Sequence, residues 1–262
     1  CDDMADGQDH GGAMEAVTDP QARLQAIRQL TAMALAGAPT SEPAFDCLGV
    51  VARECGITSR MAEDVIEGFA LDAADWRPRR ESDLYQYCYH VAGAVGVMMA
   101  VVMGVPADDD ATLDRACDLG LAFQLANIAR DIAEDDAAGR CYLPDDWLAM
   151  LDIAPGEHMK PHNRKKLALI GRWLADEAEQ YEASARVGAK HLPLRARWAV
   201  LSAAGIYGEI ARKVRAAQAH AWDQRIFTSR PEKFRWVRKA FVDAIANNPR
   251  DTNRDMLWTR VR

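Results

Sequence analysis

The segment Gln124–Pro144, QLANIARDIAEDDAAGRCYLP, limits the folds open to this chain more than any other. Asp131, Glu134, Asp135 and Asp136 crowd into six residues of it, and the nearest base is Arg130. A solvated helix usually interleaves its acids with Lys or Arg, because opposite charges three or four residues apart gain a few tenths of a kcal/mol per pair. At about 100° per residue, Gln124, Asn127, Asp131 and Asp135 fall on a single polar stripe roughly 80° wide. Leu121, Leu125, Ile128 and Ile132 flank that stripe, while Ala122, Ala126, Ala129 and Ala133 make a smooth face opposite. A helix that is apolar or small nearly all round is an interior helix. Carboxylates on it must be paired, protonated or bound to a metal.

The rest of the chain agrees with a helical interior. At 262 residues and 49% hydrophobic it can bury a sizeable core. Ala, Leu, Met and Arg are frequent and β-branched runs are scarce, so the expected class is all-α. Helical periods predict helices near 20–36, 43–55, 59–76, 82–104, 110–137, 163–188, 193–220 and 231–247. Breakers and caps support several of these ends: Pro39 and Pro43, Gly56 before Thr58, Pro78, Gly104 to Pro106, Asp110, Pro193 and Pro231. Leu143–Pro161 is the longest irregular connection, and nothing resembles a flexible linker, so one domain over 1–262 is expected. The most apolar run, Val91–Val105, is 15 residues long and broken by glycines. A membrane span needs roughly 20 apolar residues, so this run reads as a core helix.

The six cysteines, at positions 1, 47, 55, 88, 117 and 141, form no CxxC, and the six histidines form no HExxH. They read as reduced, packed thiols of a cytoplasmic protein, without zinc. The net charge of −7 hides an asymmetry. Residues 186–262 carry 17 Lys and Arg against 6 Asp and Glu, a net of +11, and residues 1–185 carry 15 against 33, a net of −18. Such a basic end suits a diphosphate, an anionic lipid surface or nucleic acid, or else solvated helix faces.

A second acidic cluster, CDDMADGQD, opens the chain, with Asp2 and Asp6 one helical turn apart, the spacing that Asp131 and Asp135 repeat. Four carboxylates facing one another across a cavity repel unless divalent cations and an anionic ligand neutralise them. Mg2+ fits, because it takes oxygen ligands and is usually completed by substrate phosphates. Neither GxxxxGK[ST] nor GxGxxG is present, so the phosphate does not read as a nucleotide's. A cavity walled by a helix such as Val91–Met103 suits a hydrocarbon tail, and a dry wall would shelter a carbocation left by diphosphate departure. Tyr87, Tyr89, Phe123 and Phe69 are the candidate aromatic faces for that cation.

YCYHVAGAVG (Tyr87–Gly96) and LGLAFQLANIARDIAEDDAAGRCYLP (Leu119–Pro144) resemble the two signature regions of the squalene/phytoene synthase family, and EGFALD (Glu67–Asp72) and AWDQR (Ala221–Arg225) agree. The resemblance covers essentially the whole chain and is strongest to bacterial phytoene synthases. It implies an all-α prenyl-synthase (isoprenoid synthase) helical fold with a central cavity between two aspartate-rich helices. The implied reaction is head-to-head joining of two geranylgeranyl diphosphates, through prephytoene diphosphate, to give phytoene in carotenoid biosynthesis without NADPH. Carried over residue by residue, Asp2 and Asp6 become the first metal pair. Asp131 and Asp135 become the second, with Asn127 as a further ligand for Mg2+, or Mn2+ as the alternative cation. Gln124 and Arg130 would contact substrate or diphosphate, Tyr87 the reacting carbons or leaving diphosphate, Tyr207 the diphosphate, and Arg140 would cover it from the GRCYLP flap.

Two departures accompany the resemblance. A SFxxAS-like segment and an upstream Tyr and Arg that help hold diphosphate are absent, so the chain reads as N-terminally truncated and of low activity as given. Gly7 stands where phytoene synthases often have another Asp. The runner-up is a squalene or dehydrosqualene synthase using two farnesyl diphosphates. A non-catalytic relative acting as an assembly or interaction protein would be expected to lose the aspartates, and both pairs survive. The expected partners are geranylgeranyl diphosphate and an anionic membrane surface at the inner face of the plasma membrane, with no nucleic acid.

Overall fold

The computed structural model describes residues 20–74, 76–250 and 252–261. Among these residues all regular structure is helical. Helices α1 (Pro20–Leu35), α2 (Pro43–Cys55) and α3 (Ser59–Ala73) pack together around Leu24, Ile27, Phe45 and Ile66. Helix α4 (Glu81–Cys88) passes through a π-helical turn at Tyr89–Gly93 into α5 (Ala94–Val102). Then come α6 (Asp110–Ala137), a short α7 (Asp145–Met150), α8 (Arg164–Gly188), α9 (Leu194–Ala217) and α10 (Arg230–Ala246).

Local chemistry sets most of these ends. Asp109 caps α6 by accepting from the Thr112 N–H at 3.1 Å, and Gly139 closes it in the left-handed region at φ 76°. Thr58 caps α3, and Ser229 with Glu232 forms the capping box of α10. The structure departs from the periodicity in three places. The helix expected over 59–76 stops at Ala73, where the Trp76 N–H turns back to the Leu71 carbonyl ahead of Pro78. The connection 143–161 contains α7. The helix expected over 82–104 is interrupted by the π turn, which lies where two backbones touch. A methyl group on Gly120 would stand 2.3 Å from the Ala92 carbonyl oxygen, and one on Gly96 would stand 2.5 Å from that of Ala116. Only glycine permits that approach.

Helix α6 is the axis of the molecule. It packs against α8, α9, α5, the π turn and α4, and Leu113, Leu121, Leu125, Ala126 and Ala129 on it are fully buried. Its N-terminal half also carries buried acids. Asp118 is fully buried, accepts two 2.7 Å bonds from the guanidinium of Arg254 and receives the Ser184 hydroxyl at 2.5 Å. Arg260 reaches Asp114 at 2.9 Å and Asp110 at 2.7 Å. The irregular segment 252–261 is thereby clasped along α6, and the Trp258 N–H donates to the Tyr181 hydroxyl at 3.1 Å.

That clasp changes the reading of the basic C-terminal part. Arg254 and Arg260 are structural, and Arg212 and Arg215 of α9 are tied to Glu182, Glu179 and Asp176 of α8. No helix among the described residues is long and apolar enough to cross a membrane, and the run Val91–Val105 supplies α5 and the last three residues of the π turn. Five cysteines, Cys47, Cys55, Cys88, Cys117 and Cys141, are free thiols, with Cys88 and Cys117 buried and Cys47 exposed.

Removing one side of a buried ion pair strands the other charge, at about 3–5 kcal/mol. Arg254→Ala is therefore expected to lower unfolding free energy by that order in urea titrations followed by circular dichroism. Adding Asp118→Asn should recover a good part of it, and a loss below about 1 kcal/mol, the range of a surface pair, would show that the clasp is incidental.

Candidate active site

Helices α5, α6 and α9, with the end of α8, line a half-open cavity of about 480 Å3. Its wall is apolar: Val91, Val95 and Met99 on one side, Leu119 and Phe123 on α6, Val200 and Ala203 on α9. Helix α6 presents Thr112, Ala116, Gly120, Phe123 and Asn127 to it, each three or four residues after the last. That face runs for about 22 Å at 1.5 Å per residue. Asp131 and Asp135 continue it one and two turns beyond Asn127, so the acidic stripe begins where the cavity lining ends. Gln124 and Asn127 line the cavity itself.

The stripe is half-buried, and its charges are unequally compensated. Arg130 grips Asp131 with both arms of its guanidinium, Nε at 2.6 Å and Nη2 at 2.5 Å, and Arg225 stands 3.5 Å away. Burial works against the charge of Asp131, but the Arg130 fork, Glu134 and Arg225 together hold its carboxyl below the ordinary range. Glu134 is exposed, lies 2.9 Å from Arg225, and is pushed up by its hydrogen bond to Asp131. Asp135 is different. Its strongest cation contact is Arg140 Nε at 4.0 Å, and burial pushes its carboxyl up to about 6 against the pull of that arginine. Asp136 faces the buried His158 at 3.3 Å, and burial lowers the imidazole.

Asn127 provides the test for a metal. Its Oδ1 is buried with no hydrogen-bond partner among the described residues, which costs about 1–3 kcal/mol unless something accepts that lone pair. An amide oxygen and two carboxylates at successive helical turns form an all-oxygen donor set, the kind that suits a hard divalent cation completed by water and phosphate. Among the described residues no three Asp, Glu, His or Cys side chains converge into a closed cage. An open, half-built site is what a cation shared with a diphosphate requires.

The other expected site residues divide. Tyr207 lines the cavity, its ring stacked on Phe123 with centroids 4.3 Å apart, and Arg140 sits at the acidic end. Tyr87 is not on the cavity wall. It is buried between Trp76 and Tyr142, at 5.3 and 5.0 Å, and donates to Asp72 at 2.8 Å beside a separate polar depression that also holds Arg77 and Asp83. Of the four candidate cation-facing aromatics, Phe123 lines the cavity and the other three, Tyr87 among them, do not. Phe69 packs in the α1–α3 cluster, and Tyr89 donates to Asp64 at 2.6 Å on the far side of α5. Asp2 and Asp6 lie outside the described residues.

Three participants were missed by sequence reasoning. Arg225, from AWDQR, reaches back more than 90 positions to Asp131 and Glu134. Trp222 donates its indole N–H to the Ala129 carbonyl at 2.9 Å and so docks that segment on α6. Tyr142 ties the GRCYLP flap to Tyr87. The AWDQR resemblance held Trp222 and Arg225, and the Leu119–Pro144 signature held Tyr142, but neither gave these residues a role.

Residues 1–232 match the family described as squalene/phytoene synthase. A phytoene synthase of Pseudescherichia vulneris is 47% identical over 264 residues, spanning 99% of this chain and 85% of its own. A 15-cis-phytoene synthase of Pantoea ananas is 45% identical with the same coverage. Among solved structures, a dehydrosqualene synthase in complex with ligand superposes with a TM-score of 0.78 at 27% identity, over 86% of this chain and 79% of that one. A squalene synthase from Alicyclobacillus acidocaldarius shares the fold at 24% identity and a TM-score of 0.66, over 82% of this chain and 76% of its own.

The unequal compensation makes the two acids separable without any substrate. In EDTA at pH 7, Asp131→Asn should lower the melting temperature, because Arg130 and Arg225 lose their shared partner. Asp135→Asn should hold or raise it, because the folded chain disfavours that charge. Equal shifts in thermal unfolding would show that the arginines do not discriminate between the two carboxylates.

Proposed function

The chain belongs to the squalene/phytoene synthase family, and we propose that it joins two geranylgeranyl diphosphates head to head, through prephytoene diphosphate, to give phytoene. The names of relatives at 43–47% identity support the product. One observation carries the site: the Asn127 oxygen, without a partner among the described residues, is in line with Asp131 and Asp135 at the end of an apolar cavity.

The roles follow from the surroundings. Asn127, Asp131 and Asp135 would hold Mg2+, which when bound supplies Lewis-acid pull on the leaving diphosphate. Arg130 spans both oxygens of Asp131 and is placed to exchange that carboxylate for a diphosphate oxygen, freeing Asp131 as a ligand. Arg225 and Arg140 add positive charge at the same end, and both are more than half exposed, so both can follow a departing anion. Phe123 and Tyr207 present stacked ring faces to the cavity, where a developing cation gains from the ring quadrupole. The apolar wall keeps water from quenching it. Gln124, with Asn127, is a polar side chain placed between that wall and the acids. The free thiols agree with a reducing, cytoplasmic setting.

The likeness to a dehydrosqualene synthase keeps a second reading, two C15 farnesyl diphosphates as substrates. Incubating the full-length protein with Mg2+ and labelled C15 or C20 diphosphate, then identifying the hydrocarbon, separates them. A C40 product from C20 substrate is expected, with none in EDTA. A C30 product alone would select the second reading, and no hydrocarbon from either would overturn the enzyme. Asp131→Asn and Asp135→Asn should each lower turnover by roughly 100-fold or more, the equivalent of several kcal/mol of lost charge stabilisation. Near-normal activity in either would remove that residue from the metal site.

A further inference from the structure

The C-terminal helix pair carries an apolar surface that the reaction does not use. On α10, Phe234, Phe241, Val242 and Ile245 are exposed, three of them by 59% or more. At 100° per residue they occupy an arc of about 100°, turned away from Ala240 and Ala244, which are buried against α9. Leu194 and Trp198 of α9 extend the patch. The Trp198 ring meets Phe241 edge to face at 5.4 Å and is fixed by its indole N–H to the Val237 carbonyl at 2.9 Å.

The charge around this patch has one sign. Arg195 and Arg238 are exposed and have no carboxylate partner among the described residues, and Arg238 falls inside the arc itself. The nearby acids are already engaged: Asp243 by Lys239 at 2.7 Å, Glu209 by Arg235 at 3.4 Å, and Glu232 by Lys213 and Ser229. Lys190 and Arg250, at the rim of a depression beside the C-terminal end of α10, add to the same field. A second copy of this chain meeting the patch symmetrically would set these bases against themselves. Exposed aliphatic and aromatic side chains ringed by unpaired bases match the boundary of an anionic bilayer, with Trp and Phe at the acyl edge and Lys and Arg at the headgroups.

We infer that the exposed face of α10, with Leu194 and Trp198, docks the protein on an anionic lipid surface. Helix α9 then has two jobs. Leu194 and Trp198 meet the bilayer, while Ala199, Val200 and Ala203 line the cavity, so the lipid lies one helix away from the space that receives the hydrocarbon chain.

The test needs no substrate, so its outcome is independent of the reaction proposed above. The full-length protein is sedimented with vesicles of phosphatidylcholine alone, or of phosphatidylcholine with phosphatidylglycerol, at about 0.05 and 0.5 M salt. Binding is expected to the anionic vesicles at low salt and to fall at least roughly tenfold at high salt. The triple variant Phe241→Ser, Val242→Ser, Ile245→Ser should weaken it by roughly tenfold or more. The double variant Arg195→Gln, Arg238→Gln should erase the preference for anionic vesicles. Met150→Ser, at an exposed apolar site on α7, should change nothing. Every substitution is on the surface, and unchanged far-ultraviolet circular dichroism verifies folding. The inference is overturned by no binding at low salt, by equal binding to both vesicle types, by full binding of the serine variant, or by a dimer that buries this face.

Discussion

Compensating the carboxylates of one buried helix is the constraint on which the rest of this structure depends. Helix α6 carries acids along its whole length, and those inside the bundle must meet a cation or be neutral. The N-terminal half meets its cations directly: Arg254 forks onto Asp118, Arg260 bridges Asp114 and Asp110, and the two bring the segment 252–261 with them. The C-terminal half is only partly served. Asp131 is held charged by Arg130 and Arg225, whereas Asp135 has Arg140 at 4.0 Å and remains a carboxyl that burial disfavours as an anion. One helix thus has a locked end and an open end, and the difference lies in where its arginines come from.

The same helix explains why cavity and acids adjoin. Successive turns of α6 place Thr112, Ala116, Gly120, Phe123 and Asn127 on one face, and continuation by two turns adds Asp131 and Asp135. Gly120 has to lack a side chain because the π turn presses the Ala92 carbonyl onto it, and that close crossing sets α5 beside the cavity face. A bulkier residue would push α5 outward and widen a cavity whose value lies in excluding water. Packing and chemistry are thus fixed by the same backbone approach.

What could be read from the sequence follows from the range of the forces involved. Helix periods, caps and breakers are local, so α1 to α6 and α8 to α10 were legible, and so was the stripe through Gln124, Asn127, Asp131 and Asp135. The π turn was not, because it answers to Gly120, some thirty positions away, rather than to its own residues. Neither were the ion-pair partners, since Arg225 and Arg254 come to α6 from 91 and 136 positions away and no periodicity links such separations. Tyr87 shows a subtler gap. Its signature motif was plain, but its hydroxyl faces Asp72 and its ring lies between Trp76 and Tyr142, an arrangement created by α3, α4 and the flap together.

The charge asymmetry of the sequence resolves in the same terms. A surplus of bases in residues 186–262 read as one feature, with diphosphate, lipid or solvent as its object, and the structure divides it by direction. Arginines whose guanidinium can fork onto two oxygens are spent inward, on Asp118, Glu182 and Glu179, where partial burial makes each bond worth more. The outward bases Arg195 and Arg238 stand among Phe, Val, Ile and Trp rather than among acids. Had they been needed only for solubility, the apolar arc beside them would have no reason to stay exposed on a helix whose other face already supplies the packing of Ala240 and Ala244. Apolar exposure and unpaired positive charge are each unfavourable in water, and a surface that is both hydrocarbon and anionic relieves the two together.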